Sequence, residues 1–407
     1  MNHFIKKWTD ISLIKRILGG LIIGAVLGIA VPRASGITVL GDLFVGALKA
    51  VAPILVFFLV MSSLSNARNS HGGVIRTVII LYMLSTLLAA VIAVFASMAF
   101  PIELTLAEAA EDAAAPGGVL EVLQTLIMNV VANPVSSLAN ANYLGILAWA
   151  VLLGIAFRSA GEHTKQVLQD ISSGISTLVT WIIDLAPFGI LGLVFGTVST
   201  SGLDIFTQYG LLLVLLVGCM LVVTFITNPV LVYWCIRKNP FPLIFKCLKR
   251  SAITAFFTRS SAANIPVNME VCREMGMDKD TYSVTIPLGA TINMDGAAIT
   301  ITVMTMAAAH TMGVAVDIPT AIILSVLAAL SACGASGVAG GSLLLIPMAC
   351  SLFGIPDDIS MQVVGVGFII GVVQDSVETA LNSSSDLLLS ISAELRQWRK
   401  EGREIEI

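Results

Sequence analysis

Charged residues are scarce in this chain of 407 residues. Asp, Glu, Lys and Arg together make up 12% of it, whereas a soluble domain carries roughly 25%. Hydrophobic residues make up 57%, and the mean hydropathy is +0.93. The composition therefore excludes an ordinary soluble domain and predicts a polytopic membrane protein. At about 20 residues for each spanning helix, about eight spans with short loops fit this length.

The chain also lacks the residue sets that bind transition metals. It has four His and six Cys, and no two Cys stand in a CxxC motif. Most of the Cys lie in apolar runs, so we interpret them as small buried hydrophobes.

Eight long apolar segments and two broken ones divide the chain. The fourth is too long for one crossing and is interrupted by Asn129, Asn133-Pro134 and Asn140-Ala141-Asn142, so we expect several short helices there. The acidic stretch Glu103 to Gly118 is predicted to be an exposed loop. The long segments cover residues 12–31, 43–65, 74–100, 118–157, 172–200, 207–236, 281–309 and 358–392, and the broken ones cover 240–268 and 318–352.

The basic residues predict the orientation. If both termini are cytoplasmic and each broken segment returns to its own side, all but three of the 22 Lys and Arg residues are cytoplasmic, the exceptions being Arg33, Lys49 and Arg259. We therefore predict two re-entrant hairpins, the first entered from the cytoplasm and the second from outside. Each hairpin is followed by a long helix, and the two pairs have opposite orientation, which is the inverted-repeat pattern of secondary transporters.

The stretch Thr285 to Thr305 is a long apolar run with Asn293-Met294-Asp295-Gly296 in its middle. A carboxylate near the centre of a bilayer costs about 2.5–3.5 kcal/mol on insertion scales, so it is normally kept for function. We expect the glycine to break the helix there and to free backbone carbonyls as cation ligands.

Both hairpin tips are rich in small polar residues, at 258–264 and 334–341. Helix N-termini at these tips could present N–H groups to a substrate carboxylate. Packing between helices is the alternative, but packing needs neither Arg259 nor Pro266.

The last long segment carries three acids on one helical face, where residues step by three or four. Acids facing lipid are not credible, so they must face a cavity or partners. An ion-pair network with Arg259 is the alternative, but one arginine cannot neutralise these acids and Asp295 together. We therefore predict external cations. The face consists of Asp375, Glu378, Thr379, Asn382 and Asp386.

Tyr82, Ser85 and Thr86 place three further oxygens on one face of segment 74–100. Such residues commonly bond one helix to another. Together with carboxylates, however, oxygen ligands suit hard cations.

Four motifs resemble the dicarboxylate/amino acid:cation symporter family, which includes the glutamate transporters. The resemblance covers essentially the whole chain and is closest to the bacterial serine/threonine:sodium symporter branch. The motifs are TRSSAANIPV at 258–267, ATINMDGAA at 290–298, GASGVAGG at 334–341 and DSVETALNSSSD at 375–386.

The resemblance implies an all-α, elevator-type transporter with eight transmembrane helices, two re-entrant hairpins and inverted repeats, assembled as a homotrimer. Residues 10–66 and 118–200 would form a fixed scaffold and trimerisation domain. Residues 74–100 and 207–396 would form the moving transport domain. We expect it in a bacterial inner membrane, with both termini cytoplasmic.

The resemblance also implies a substrate site. Asp375 would bind the α-amino group of an amino acid, and Asn382 with the Ser260-Ser261 backbone would hold its α-carboxylate. Thr379 and the Gly337-Val338 tip would close over it. The whole predicted set is Ser260, Ser261, Met294, Gly337, Val338, Asp375, Glu378, Thr379 and Asn382.

Three sites for co-transported Na+ ions follow from the same resemblance. The first would use Asp386 with carbonyls of Gly289, Asn293 and Asn382. The second would use backbone carbonyls near Thr291 and the second hairpin, beside Met294. The third would use Asp295, Asn293, Tyr82, Ser85 and Thr86.

Two departures from the family pattern bear on the substrate. Members that carry acidic substrates have an arginine at the position of Glu378 and a threonine at the position of Ala297. A carboxylate at 378 would repel aspartate or glutamate, because like-charge juxtaposition costs several kcal/mol, but it could accept a hydrogen bond from a substrate hydroxyl. We therefore predict sodium-coupled import of serine and threonine, with no enzymatic activity and no nucleic-acid partner.

Three other functions compete with this one. Gly334-Ala335-Ser336-Gly337 and His310 resemble motifs of rhomboid-type intramembrane serine proteases, but His310 precedes the serine here and the acids stay unexplained. An ion channel would not need saturable, sodium-dependent uptake. A symporter for another neutral amino acid, or for a cationic one attracted by Glu378, is the third alternative.

Overall fold

The computed structural model describes residues 11–66, 73–106, 128, 131–202, 205–334 and 340–403. All regular secondary structure within these ranges is helical. The helices are α1 (Leu13–Ala30), α2 (Thr38–Asn66), α3 (Gly73–Ala99), α4 (Pro134–Ala139), α5 (Tyr143–Ala156), α6 (Glu162–Asp184), α7 (Ala186–Ser201), α8 (Ile205–Val222), α9 (Asn228–Ile236), α10 (Phe241–Cys247), α11 (Ile253–Thr258), α12 (Ser261–Glu274), α13 (Lys279–Ile292), α14 (Asp295–Thr311), α15 (Ile318–Ala332), α16 (Ile346–Ser351) and α17 (Asp357–Lys400).

Several helices of the described chain are long and apolar enough to cross a membrane, which confirms an all-α membrane protein. There are five such runs, or six if the bent pair α6–α7 counts as one span. The total of eight spans stays a prediction. The five runs are Ser35–Asn66, Gly73–Ala99, Phe206–Ile236, Lys279–Thr311 and Asp357–Lys400.

The segment predicted as one crossing over 172–200 consists of two helices, and whether the pair crosses once stays a prediction. α6 begins earlier, at Glu162, and α7 leaves it at an angle of 52°. Pro187 lies in the first turn of α7 and has no N–H to donate to the carbonyl of Ile183, so the helical ladder is interrupted there.

Asparagines divide the predicted fourth segment into short helices. Asn133 accepts hydrogen bonds from the first turn of α4, and Asn142 accepts one from Gly145 N at the start of α5. Asn129 lies outside the described residues. Within the predicted loop Glu103 to Gly118, only 103–106 is described, and Leu104 there is buried and donates its N–H to Thr311 Oγ1 at 2.8 Å. The described part of the stretch is therefore docked on α14 at Leu104, whereas Glu103 is exposed as predicted.

α14 and α17 form the centre of the molecule. Every residue of α14 from Asp295 to Ala309 is buried, and α17 is buried along most of its length. By contrast, α1 exposes Ile22, Val26 and Ile29. A helix buried on all sides is a core element, whereas an exposed apolar face suits lipid or another protein.

The first broken segment folds as two helical arms. α11 ends at Thr258 and α12 begins at Ser261. Arg259 makes the turn with a left-handed φ of 51°, and the Ser260 hydroxyl accepts a hydrogen bond from Ala263 N at 3.2 Å. The tip thus presents the N-terminus of α12, as predicted, and Ser260 is its N-cap.

The second broken segment consists of α15, a 3-10 turn at Leu343–Leu345, and α16. Its tip, residues 335–339 with Gly337 and Val338, lies outside the described residues.

The break in the central stretch lies just before Asp295, not at Gly296. α13 ends at Ile292, and Asn293 and Met294 separate it from α14, which contains the glycine. Gly296 has a different use: a Cβ there would lie 2.9 Å from the Cα of Glu378. The glycine therefore allows α14 and α17 to approach closely, and it does not terminate a helix.

Three glycines allow α1 and α7 to pack with their backbones almost in contact. A Cβ on Gly20 would lie 2.1 Å from Pro187 O, and one on Gly24 would lie 2.5 Å from Leu191 O. Gly28 is four residues further on, and a Cβ there would lie 3.1 Å from Phe195 O. Small residues four positions apart are the usual means of close helix contact in membranes.

Helices α1, α2, α5, α6 and α7 contact mainly one another. α3 contacts α14, α15 and α17 instead. This grouping is compatible with the predicted scaffold at 10–66 and 118–200 and transport domain at 74–100 and 207–396. Relative movement of the two groups stays a prediction.

Replacing Gly24 by Ala should destabilise the protein by about 1–3 kcal/mol, because the new Cβ overlaps the backbone of α7. Gly19 on the same helix provides the matched control, since a Cβ there would meet no other atom within 4 Å. Gly19→Ala should be neutral or stabilising by up to about 1 kcal/mol. Thermal unfolding of the detergent-purified variants measures both, and equal melting temperatures would contradict the packing argument.

Candidate functional site

The two hairpins meet at Asp375 of α17. From the first hairpin, Arg259 Nε donates to Asp375 Oδ2 at 2.7 Å, and both side chains are largely buried. From the second, the backbone N–H of Gly340 lies close to the same carboxylate. The predicted ligand of a substrate α-amino group therefore already has a resident cation.

A cleft of about 330 Å³, partly open to solvent, adjoins this ion pair. One wall belongs to the helices grouped above with α1, and the other to the hairpins and α17. Its lining combines an apolar surface with a single charged pair. The residues are Ile17, Ile183, Ala186, Arg259, Gly340, Leu343, Phe368, Gly371, Val372 and Asp375.

Asn382 bridges α17 to the break in the central stretch. Its Oδ1 accepts the N–H of Gly296 at 2.7 Å, and its Nδ2 lies 3.5 Å from Met294 Sδ. A thioether is a weak acceptor, so the amide N–H groups keep capacity for a stronger one such as a carboxylate. Thr379, also predicted for the substrate, donates to Asp375 O within its own helix at 2.8 Å.

Glu378 is buried among side chains from three elements. Its Oε2 accepts the hydroxyls of Thr300 on α14 at 2.7 Å and of Ser342 after the second tip at 3.0 Å. Gln374 Nε2, one turn earlier on α17, donates to the same oxygen. None of these three partners was predicted from the sequence, since Ser, Thr and Gln are common in membrane helices.

Asp386 and Asn293 form a pair with two open acceptor atoms. Asn293 Nδ2 donates to Asp386 Oδ1 at 2.9 Å, and both residues are at most 1% exposed. Asn293 Oδ1 and Asp386 Oδ2 have no hydrogen-bond partner in the described part of the chain. A buried acceptor without a donor is costly, and a cation removes that cost. The donor set therefore fits a metal ion.

The backbone around this pair is unusually close. A Cβ on Gly289 would lie 3.0 Å from Asp386 Cγ and 2.8 Å from the Tyr82 hydroxyl. The Tyr82 hydroxyl donates to the carbonyl of Asp386 at 2.9 Å and also lies 3.2 Å from that of Thr285. The hydroxyl of Tyr82 thus contacts the neighbouring predicted ion site, and the place of Tyr82 in the Asp295 set stays a prediction.

Asp295 lies against α3, as expected. Its carboxylate accepts the Ser85 hydroxyl at 2.8 Å and the Thr86 hydroxyl at 3.1 Å. Ser85 Oγ also lies 3.4 Å from Asn228 Oδ1. Carboxylate, hydroxyl and amide oxygens therefore come together at a fully buried position.

Thr291, predicted for the second ion site, donates to Leu288 O within its helix. The first arm of the second hairpin reaches this region, since Cys333 Sγ lies 3.6 Å from the carbonyl of Ile292. The remaining part of that predicted site involves the tip, which lies outside the described residues.

The described residues contain no group of three or more His, Cys, Asp or Glu side chains placed to hold a metal ion. The two predicted ion sites above have single carboxylates supplemented by amides, hydroxyls and carbonyls. Oxygen-only, weakly charged sets of this kind suit hard cations rather than transition metals.

A second buried polar cluster, not anticipated from the sequence, fixes the first hairpin to α17. Asn264 Nδ2 donates to Ser383 Oγ at 2.7 Å and to Ser251 Oγ at 2.9 Å. Asn268 Nδ2 donates to Ser383 O at 3.0 Å. Ser251 Oγ, on the first arm, lies 3.4 Å from Ser383 Oγ. Both arms of the hairpin therefore contact the same point of α17.

The model of the sodium:dicarboxylate symporter family matches residues 13–394, which is nearly the whole chain. The chain belongs to this family. Its members are symporters, so the rhomboid-type protease alternative is excluded and the chain is a membrane transporter rather than an enzyme.

Curated relatives within the family are similar over their full length. The serine/threonine transporter SstT of Streptococcus thermophilus is 55% identical over 401 residues, which are 98% of this chain and 100% of the relative. The protein of the same name from Streptococcus agalactiae serotype V is 56% identical over 402 residues, with the same coverage.

Replacing Asp386 by Asn should weaken sodium binding, because it removes the charge beside Asn293 and replaces an open acceptor by an amide. The sodium concentration that gives half of the sodium-dependent thermal stabilisation should rise about tenfold or more, equivalent to about 1.4 kcal/mol or more.

Ser392→Ala provides the matched control. Ser392 is buried on the same helix and bonds only the carbonyl of Leu388 among the described contacts. An Asp386→Asn variant with the sodium dependence of the wild type would count against the cation assignment.

Proposed function

We propose that this chain imports serine and threonine together with Na+ ions. The single observation that carries the sodium coupling is the pair of open, buried acceptors on Asn293 and Asp386. The substrate class is supported by the names of relatives at 55–56% identity over the full chain and by the carboxylate at Glu378, which disfavours acidic substrates.

The amino acid would bind between the two hairpin tips. Its ammonium group would contact Asp375 and displace the guanidinium of Arg259 from that carboxylate. Its α-carboxylate would accept from Asn382 Nδ2 and from backbone N–H groups at Ser260 and Ser261, where the positive end of the α12 dipole also favours an anion. Met294, Thr379 and the Gly337-Val338 tip would enclose the remainder.

Sodium ions would compensate the buried acids that have no resident cation. One would bind Asp386 with Asn293 and backbone carbonyls, including those of Gly289 and Asn382. One would bind Asp295 with Ser85 and Thr86, and a further one would bind carbonyls near Thr291. Because an uncompensated buried carboxylate is strongly disfavoured, the loaded site would form only when sodium and substrate are both bound.

The group of helices around α14 and α17 would carry this site across the membrane against the group around α1 and α7. The proposal includes two re-entrant hairpins, an elevator movement, a homotrimer, and a bacterial inner membrane with cytoplasmic termini. Its support is the resemblance of the motifs and the distribution of Lys and Arg residues.

Replacing Asp375 by Ala should abolish serine uptake into proteoliposomes, because the substrate ammonium loses its counter-charge. The single variant also leaves Arg259 buried without a partner, which can cost about 3–5 kcal/mol of stability. The double variant Asp375→Ala/Arg259→Ala removes both charges and should regain stability without regaining uptake. Wild-type rates in either variant would refute the role of Asp375.

Radiolabelled serine uptake should require sodium and should be competed by threonine but not by aspartate or lysine. Choline in place of sodium provides the control for coupling. Competition by aspartate would contradict the role of Glu378, and competition by lysine would favour a cationic substrate. Uptake that neither saturates nor depends on sodium would favour a channel.

A further inference from the structure

Glu378 lies in a small cluster of polar side chains whose hydrogens all have acceptors. This Glu378 cluster consists of Glu378, Gln374, Thr300 and Ser342. Thr300 and Ser342 each have one hydroxyl hydrogen, and both are donated to Glu378 Oε2. Gln374 has two amide hydrogens, of which one goes to the same oxygen and the other to Thr300 Oγ1 at 2.7 Å. With Glu378 as the ionised carboxylate, every polar side-chain hydrogen of the cluster is therefore committed.

The orientation of the Gln374 amide follows from these contacts. If its oxygen occupied the position of Nε2, it would face a carboxylate oxygen and a hydroxyl that already donates elsewhere. The nitrogen must therefore lie on that side. Gln374 Oε1 then has no hydrogen-bond partner in the described part of the chain, although the residue is fully buried.

The cluster consequently offers a ligand acceptors only. Three donors converging on Oε2 are typical of a carboxylate, which supplies no hydrogen of its own. A ligand group that brings a hydrogen satisfies the open Gln374 oxygen, whereas a methyl group leaves it unpaired and a carboxylate adds further acceptors. A hydroxyl on a short side chain meets this requirement.

The position of the cluster fits a side-chain subsite. Glu378 is three residues after Asp375 on the same face of α17, a spacing that places Cβ atoms about 5–6 Å apart. Ser342 follows the second hairpin tip, and Thr300 lies on α14 just beyond the break at Asn293. A small amino acid bound through its ammonium group at Asp375 would direct its side chain toward these residues.

We propose that Thr300, Gln374 and Ser342 determine specificity: together with Glu378 they form an acceptor-only subsite for the side-chain hydroxyl of a small amino acid. This inference rests on the proposed function, and it assigns the discrimination to three residues that make no other part of the transport site. Such a subsite would discriminate serine from alanine, which differ only in the hydroxyl, as well as serine from aspartate.

The test compares unlabelled alanine and serine as inhibitors of sodium-dependent uptake of radiolabelled serine into proteoliposomes. The quantity measured is the ratio of the alanine concentration to the serine concentration that gives half-inhibition. In the wild type we expect a ratio of about ten or more, because a site built to bond a hydroxyl rejects the analogue that lacks it. In Thr300→Val the ratio should fall several-fold toward one. Thr302→Val provides the matched control, since Thr302 is equally buried on α14, two residues away, and its ratio should stay at the wild-type value.

Glu378→Gln provides a second variant. It introduces amide hydrogens into the acceptor-only subsite, so the alanine-to-serine ratio should fall and aspartate should begin to inhibit. The ratio does not depend on the amount of folded protein, so partial loss of expression does not obscure it.

Two results would overturn the inference while sodium-coupled import stands. The first is a wild-type protein that takes up alanine and serine equally well. The second is a set of variants in which uptake of both falls in parallel at an unchanged ratio, which indicates a structural role. Absence of any sodium-dependent uptake of small neutral amino acids in the wild type would instead refute the proposed function itself.

Discussion

The structure depends on the free-energy cost of burying the four carboxylates of the candidate site, each on a residue at most 6% exposed. Each is compensated differently. Asp375 has an arginine, Glu378 has three side-chain donors, and Asp295 has two hydroxyls. Asp386 has a single amide on one oxygen and nothing described on the other. The acid with the fewest protein partners is therefore the one most dependent on an ion, and the acid with a full set is the one least suited to bind one.

The two hairpins are attached to α17 in different ways, and this difference bears on their movement. Asn264 and Asn268 bond the first hairpin to Ser383 through buried side chains on both sides of the contact. The second hairpin is described at this helix through Gly340 at Asp375 and Ser342 at Glu378. These contacts go to residues proposed to meet the substrate. The first hairpin has one such contact too, the ion pair of Arg259 with Asp375, but its Ser383 cluster lies beyond those residues. If the substrate displaces Arg259, the Ser383 cluster still attaches the first hairpin to α17.

The sequence was sufficient to predict the features that depend on residues whose burial in a membrane is costly. Acids in apolar runs, the interrupted central stretch and the polar tips all predicted the elements that meet at Asp375. Features built from common residues could not be predicted. They include the clusters around Ser383 and Glu378 and the contact of Gly24 with α7. These features depend on tertiary neighbours that no local pattern specifies. The pairing of Arg259 with Asp375 entered only as an alternative, and Gly296 was taken for a helix breaker because its close contact with Glu378 is invisible in sequence. The apolar run over 172–200 is divided by a bend at Leu185 because Pro187 interrupts the helix, and the run itself gave no sign of this bend.

The break between α13 and α14 connects the ion and substrate sites through the backbone. In an unbroken helix the N–H of Gly296 would bond the carbonyl of Ile292. Here Asn382 accepts that N–H at 2.7 Å, and the carbonyl of Ile292 faces Cys333 of the second hairpin. The side chain that replaces the missing helical bond is the one proposed to hold the substrate carboxylate, and the break also places Asn293 against Asp386. Any shift of Asn382 on binding substrate must therefore act on the chain segment that supplies the ion ligands, so the two sites share a physical element through which their occupancies can be linked.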